Sequence, residues 1–377
     1  MSFNIVGSWY LRGIVSFSPS RPNGAPSVCD PTKPTVFTDV AKYRYWIMRY
    51  TNTADWLKEL EPCSEGKIDK NTWCNAASQF KHGYFIAAKE NNIIRVPING
   101  DPAYNEPEDI HLRTLHGLDY DCVEGRFYWI ESKPQSIVSA KYDGTDKKPF
   151  ITKHIEDPRY LAVDWISRHL YWLDYKKETI EVANLDDPDL RTVVSSDVDY
   201  PDEIAVDPVQ GVLYRMRENV AIEWSNLDGS EPELSLVSTS LRISDMKVSI
   251  PTGELCYINQ GMSQIDCIDT RNKQIRTIVS NLTNPRTFAI ADELFFWTED
   301  NSGTIESINL QNERQKPIPY NMADNIFLLS AVSGFCPRFY SPCAINNGEC
   351  PGNTICLLNP RVPSGKMCKS IVFKSTP

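Results

Sequence analysis

A mainly β chain assembled from repeated four-stranded units is predicted on three observations. The first is an aromatic-rich motif that returns at a near-constant interval: Phe127-Tyr128-Trp129-Ile130-Glu131, Leu170-Tyr171-Trp172-Leu173-Asp174, Leu213-Tyr214-Arg215-Met216-Arg217, Leu255-Cys256-Tyr257-Ile258-Asn259 and Phe295-Phe296-Trp297-Thr298-Glu299. Its second residues stand at 128, 171, 214, 256 and 296, a period that signals a repeat architecture. The second observation is a further anchor seven residues upstream, at Asp121, Asp164 and Asp207, with Ser249 in the fourth case. The third is an apolar run behind each motif, starting at Ile137, Ile180, Ile222 and Ile265 and ending near Asp or Gly. Runs such as Leu161-Ala162-Val163 and Ile180-Glu181-Val182 fit short strands separated by turns. About four such strands fill one interval, the content of a propeller blade, and units that cannot bury their own faces must stack in a ring.

Taken together, the Tyr-Trp-x-Asp anchors, the upstream Asp and the spacing resemble the YWTD repeats (low-density lipoprotein receptor class B repeats) of lipoprotein receptors and nidogen. That resemblance implies a six-bladed β-propeller. Gly83-Tyr84-Phe85-Ile86-Ala87-Ala88, with Phe85 lying 43 residues before Tyr128, stands for a first blade without the aromatic pair, so the ring is placed at residues 81–332. The resemblance also assigns structural roles. Tyr128, Trp129, Tyr171, Trp172, Tyr214 and Trp297 are wedges between blades. Asp174, with Glu131 and Glu299 as longer substitutes, braces backbone of a neighbouring blade, and Asp164 and Asp207 are upstream anchors. Arg215, Arg217, Cys256 and Asn259 depart from the motif, so blades four and five are expected to brace their neighbours less well. Cys256 and Cys267, eleven residues apart on adjacent strands, are a candidate cross-strand disulfide.

Before the ring, residues 8–47 closely resemble the last segment of a trypsin-like serine protease, and residues 1–50 are assigned to a remnant of that domain. Gly13-Ile14-Val15-Ser16, a loop holding Cys29, and Phe37-Thr38-Asp39-Val40 correspond to its two final strands, and Tyr45-Trp46-Ile47 to the end of its terminal helix. Neither the Gly-Asp-Ser-Gly-Gly-Pro nucleophile segment nor that family's earlier His and Asp motifs occur here, and Ser2 and Ser8 lack an oxyanion turn, so no catalytic residue is assigned. The resemblance puts the partner of Cys29 upstream of residue 1. Residues 51–80 are read as a linker in which Cys63 and Cys74 close a short loop.

After the ring, residues 333–370 resemble the EGF-like module that follows YWTD propellers, on Cys343-Ala344-Ile345-Asn346-Asn347-Gly348-Glu349-Cys350 and Cys356-Leu357-Leu358. EGF pairing implies Cys343 with Cys356 and Cys350 with Cys368. The fifth and sixth cysteines of that module are missing and Cys336 is extra; the partners of Cys336 and Cys122 stay open.

The 377 residues carry a net charge of −10, which disfavours nucleic acid, and no apolar stretch is long enough to span a bilayer. Eleven cysteines and the sequon Asn281-Leu282-Thr283 point to an oxidising, extracellular setting, although the first twenty residues do not read as a signal peptide. No His-x-x-x-His, Cys-x-x-Cys or phosphate loop is present, so no metal or cofactor is expected, and Asp186-Asp187 reads as a solvated turn. The function expected is a non-catalytic extracellular module in which a propeller face binds a protein ligand, with Trp165 or Tyr200 as candidate anchors. Two other readings are a fragment of a modular trypsin-like endopeptidase and a pH-responsive receptor part using His82, His111, His116, His154 or His169.

Overall fold

The structure, a computed structural model, describes residues 83–89, 92–98, 110–111, 115–196, 198, 201–217, 221–237, 242–270, 272–291, 294–320, 326–332, 336 and 339–372, together with four short strands near the N-terminus. The chain divides into two units, Met1–Glu61 and Pro62–Pro377. In the first, Ser2–Phe3 pairs with Trp9–Tyr10 and Gly13–Phe17 pairs with Val36–Asp39, both antiparallel. The second pair falls on the two segments assigned to strands above. The helix placed after them, Cys29, Cys63 and Cys74 lie outside the described residues.

The second unit is a six-bladed propeller of four-stranded antiparallel sheets. Blade two runs outward through Leu115–Asp121, Arg126–Ser132, Gln135–Lys141 and Lys148–Ile151. Blade three is Pro158–Asp164, His169–Asp174, Thr179–Asn184 and Arg191–Ser196. Blade four begins at Pro201–Asp207, blade five at Ile243–Ser249 and blade six at Pro285–Ala291. These first strands pack side by side around the axis. Blade one is built differently. Its inner strand is Ile326–Val332, from the end of the ring, paired to Tyr84–Lys89, then Asn92–Pro97 and Ile110–His111. The two ends of the propeller sequence therefore close the ring within one sheet, an arrangement that periodicity alone did not reveal.

Side-chain alternation explains why the motif needs two aromatics in a row. Adjacent residues of a strand point to opposite faces, so the second motif residue meets the following blade and the third the preceding one. Tyr171 packs with Val206 and Leu213 of blade four, whereas Trp172 packs with Tyr128 and Ile130 of blade two. Phe296 likewise turns to Phe85 of blade one, and Trp297 to Cys256 and Ile258 of blade five. Trp129, Trp172 and Trp297 are fully buried, as are Tyr128, Tyr171 and Tyr214. In blade five Tyr257 fills the slot of the Trp, and Cys256, which replaces the Tyr, is bonded to its cross-strand partner Cys267.

The faces of the propeller and the module docked on one of them

Each upstream acid caps the turn between the first and second strands. Asp164 Oδ1 accepts from the N–H groups of Ile166 (3.1 Å) and Ser167 (2.8 Å), and Asp207 Oδ1 from Val209 (2.9 Å) and Gln210 (2.7 Å). Asp121 does the same toward Val123. Four residues after the anchor the chain takes a positive φ, at Gly125, Arg168, Gly211 and Gly253, where glycine is the low-strain choice. Arg168 is the exception, and its side chain accounts for it: the guanidinium bonds Asp121 of blade two at 2.5 Å and Asp186 at 2.8 Å, with Glu124 at 3.2 Å. Asp186 is thus an exposed turn residue, as read from the sequence, that also pairs with a buried arginine.

Burial pushes the Asp164 carboxyl up to about 7, against the pull of the Ser167 and Ile166 N–H groups, and Asp207 adds to the rise. Its Oδ2 is buried without a hydrogen-bond partner. A carboxyl whose folded pKa lies above its unfolded value of about 3.9 binds more protons in the folded state, so stability falls as pH rises between those two values. The cost is absent below about pH 4 and complete above about pH 7, on the order of 4 kcal/mol. Asp164→Asn keeps the Oδ1 acceptor and removes the charge. The melting temperature of wild type relative to this variant should therefore drop steadily from pH 4 to pH 8; a constant difference would show that Asp164 does not titrate there.

The acids of the main motif divide into two behaviours. Asp174 accepts from the N–H groups of Glu156 (2.7 Å), Asp157 (3.1 Å) and Lys177 (3.2 Å). It therefore braces the connection entering its own blade, not backbone of a neighbouring blade. Glu299 has the reach for two bonds, taking Thr283 N–H on Oε2 at 2.7 Å and Trp297 Nε1–H on Oε1 at 3.1 Å. Glu131 accepts from Trp129 Nε1 and Lys147 Nζ. Backbone bonds between blades come instead from the inner strands. Asp119 accepts from Val163 N–H (2.7 Å), Asp245 from Phe288 N–H (3.1 Å) and Thr287 Oγ1 (2.7 Å), and Thr287 Oγ1 in turn from Leu329 N–H (3.2 Å). Lys247 sits among these acids, 3.2 Å from Asp245. Burial works against its ammonium, but Asp245, Glu203 and Asp119 raise its pKa overall. Burial also raises Asp119, although Lys247 opposes it.

The C-terminal module packs on the face formed by the first and third turns of the blades. Its disulfides join Cys343 to Cys356 and Cys350 to Cys368, and its hairpin pairs Thr354–Leu358 with Lys366–Ser370. Cys336, on the way into it, is bonded to Cys122 in the first turn of blade two. Ile355, Leu357 and Leu358 join the apolar cluster between blades three and four. Polar contacts surround that core: Ser167 and Ser341 hydroxyls at 2.9 Å, Asn359 Nδ2 to Asp228 Oδ2 at 2.8 Å, Lys369 Nζ to the Asp228 carbonyl at 2.9 Å, and Thr192 Oγ1 to the Ser370 carbonyl at 2.7 Å. Gly211 lies so close to Leu358 that a Cβ would meet it at 3.0 Å. Truncating Leu357 to Ala should cost about 2–5 kcal/mol of docking, seen as faster hydrogen exchange in residues 341–372 with little change in blades one and six.

The opposite face carries the second turns and the connections between blades, and none of the module contacts just described falls on it. His169 does not serve as a pH switch: it is buried in blade three, and burial pushes it down to about 3, so it stays neutral through the endosomal range. His116 and His154 are exposed, His111 lies in a strand whose side chains are not described, and His82 and Tyr200 lie outside the described residues. Trp165 is half-buried against Tyr128, Trp172 and their neighbours, on the module's face. Among the described residues no group of three metal-ligating side chains occurs, and no helix is long and apolar enough to cross a membrane.

Comparison with known proteins places these features in a family. The model of the low-density lipoprotein receptor repeat class B matches residues 125–165 and 168–208, which are the last three strands of blade two with the first strand of blade three, and the last three strands of blade three with the first strand of blade four. Nidogen of Drosophila melanogaster is 39% identical over 293 residues, 76% of this chain. Human low-density lipoprotein receptor-related protein 5 is 30% identical over 252 residues, 63% of this chain. The chain spans 22% of the length of the first and 15% of the second. Among solved structures, one chain of the nidogen/laminin complex superposes with a TM-score of 0.59 at 20% identity, covering 67% of this chain and 99% of that one. The ring is a six-bladed YWTD propeller of low-density lipoprotein receptor class B repeats, and the chain is a homologue of nidogen.

Proposed function

We propose that this chain is a non-catalytic extracellular binding module whose ligand is a protein, held on the propeller face formed by the second turns and the interblade connections. The observation that carries the reading is the position of the C-terminal module, which occupies blades three and four on the other face through Ile355, Leu357 and Leu358. Four disulfides among the described residues support an oxidising, extracellular setting. A structural neighbour was solved in a nidogen/laminin complex, which makes laminin the first probe to use. The test is surface plasmon resonance with immobilised laminin. Lys133→Glu and Lys176→Glu reverse exposed charges in the second turns of blades two and three, and each should weaken binding severalfold. Arg361→Glu, on the module where Arg361 pairs with Glu231 at 2.6 Å, should not. Loss of binding only with Arg361→Glu would put the ligand on the other face.

A second reading is favoured by the antiparallel strands Gly13–Phe17 and Val36–Asp39: the chain is the end of a modular trypsin-like endopeptidase whose propeller recruits a partner. A serine-reactive phosphonate should then label a longer native protein and leave this chain unlabelled.

A further inference from the structure

Asn281-Leu282-Thr283 is the only Asn-x-Ser/Thr sequence in the 377 residues. It lies in the connection from the outer strand of blade five, Gln274–Val279, to the inner strand of blade six, Pro285–Ala291. The connection is anchored on either side of the asparagine. Leu282 is buried with Phe288, Phe295 and Trp297, and its N–H donates to the Ser263 carbonyl at 2.9 Å. The Thr283 N–H is held by Glu299 Oε2 at 2.7 Å. Between the apolar strand end at Val279 and the buried Leu282 the chain rises out of the surface. Ser280 and Asn281 are exposed, and Asn281 takes φ 60°, a left-handed conformation that asparagine adopts more readily than most residues.

A second feature stands beside it. Ser263, which accepts from Leu282, closes the second turn of blade five, and the residue before it is Met262, 57% exposed. The neighbouring turn thus exposes an apolar side chain one residue from the Ser263–Leu282 hydrogen bond, as Asn281 is on the other side of that bond.

We propose that Asn281 carries an N-linked glycan whose first sugars lie over Met262. The modification forms a bond from the Asn281 amide nitrogen to C1 of the first sugar and breaks the C1–O bond to a lipid-diphosphate donor, releasing the lipid diphosphate and one amide proton, and Thr283 supplies the hydroxyl residue that the acceptor sequence requires. The folded protein holds the modified nitrogen in solvent, so the glycan costs no burial. Its apolar sugar faces cover part of Met262, and its bulk closes the blade five–six sector of the face assigned above to ligand binding. This deepens that reading: the ligand is left the sector of blades one to four.

The chain should be expressed in a glycosylating eukaryotic cell behind a heterologous leader, which makes the result independent of any leader of its own. Intact mass should fall by one glycan on treatment with peptide-N-glycosidase F, and Asn281→Gln and Thr283→Ala should each abolish that difference. An unglycosylated wild type that is secreted and folded overturns the site, and leaves the face assignment to the laminin experiment. Peroxide oxidation of Met262, followed by peptide mapping, should be severalfold slower in the glycosylated protein than in the Asn281→Gln variant. Equal rates overturn the contact with Met262.

Discussion

Replacing Cys122 by Ser should lower the guanidinium midpoint of the propeller more than any other single substitution outside its core. The bond to Cys336 spans 214 residues, and it joins the first turn of blade two to the chain just after the closing strand Ile326–Val332. In the chain-entropy account, the crosslink removes conformations only from the unfolded ensemble, and a loop of this length contributes about 5 kcal/mol. Cys336→Ser should give the same loss, and the double variant no more than either single one. Equilibrium unfolding followed by tryptophan fluorescence is the measurement. A loss under about 1 kcal/mol would mean that the unfolded chain is already held compact near these residues.

Arg168→Met is the second large effect. Asp121 is buried completely and its carboxyl is raised by burial, with Arg168 as the main opposing influence. Removing the guanidinium strands that carboxylate, at a cost of about 3–5 kcal/mol. Asp121→Asn in the same chain should restore part of it, because the turn bond to Val123 survives in an amide. Arg168→Gly separates backbone from charge: it relieves the positive φ of 66° and should recover up to about 1 kcal/mol relative to Arg168→Met. Urea denaturation of wild type, Arg168→Met, Asp121→Asn and the double variant closes the cycle, with Arg168→Gly measured beside them. A coupling near zero between Asp121 and Arg168 would refute the ion pair as the link between blades two and three. Because Cys122 follows Asp121 directly, the two predictions concern one turn, and their costs should not add.

The ring was legible because its signal is local. Consecutive aromatics such as Tyr171-Trp172 are demanded by two interfaces at once, and the capping acids by a turn a few residues long, so both show in a single interval. The axial cluster was not legible. Lys247, Asp245 and Asp119 meet from strands that are over a hundred residues apart, and each looks in sequence like an ordinary charge beside an apolar run. The closing strand was missed for the opposite reason: Ile326-Phe327-Leu328-Leu329-Ser330-Ala331-Val332 is plainly apolar and packs toward blades six and two, but it lacks the motif, which belongs to the second strand of a blade and not to the inner one. Arg168 did leave a signal, as the arginine standing where Gly125, Gly211 and Gly253 stand in the other blades. The departures Arg215 and Cys256 were visible, and the structure shows what accompanies them: Arg215 pairs with Glu223 across the sheet at 2.5 Å, and Cys256 is bonded to Cys267.

The sheet shared by Tyr84–Lys89 and Ile326–Val332 also sets an order of events on the ribosome. Chain elongation at about 5–20 residues per second separates the emergence of these two strands by tens of seconds. Throughout that time the buried Phe85, Ile86 and Ala87 have no inner strand to cover them, and the edge of their sheet is open to any other strand. Blades two to six can form as they emerge, but the first blade synthesised is the last completed. A nascent chain released before residue 326 is therefore an aggregation hazard, and the cell's folding machinery has a defined client: an open ring waiting for seven residues.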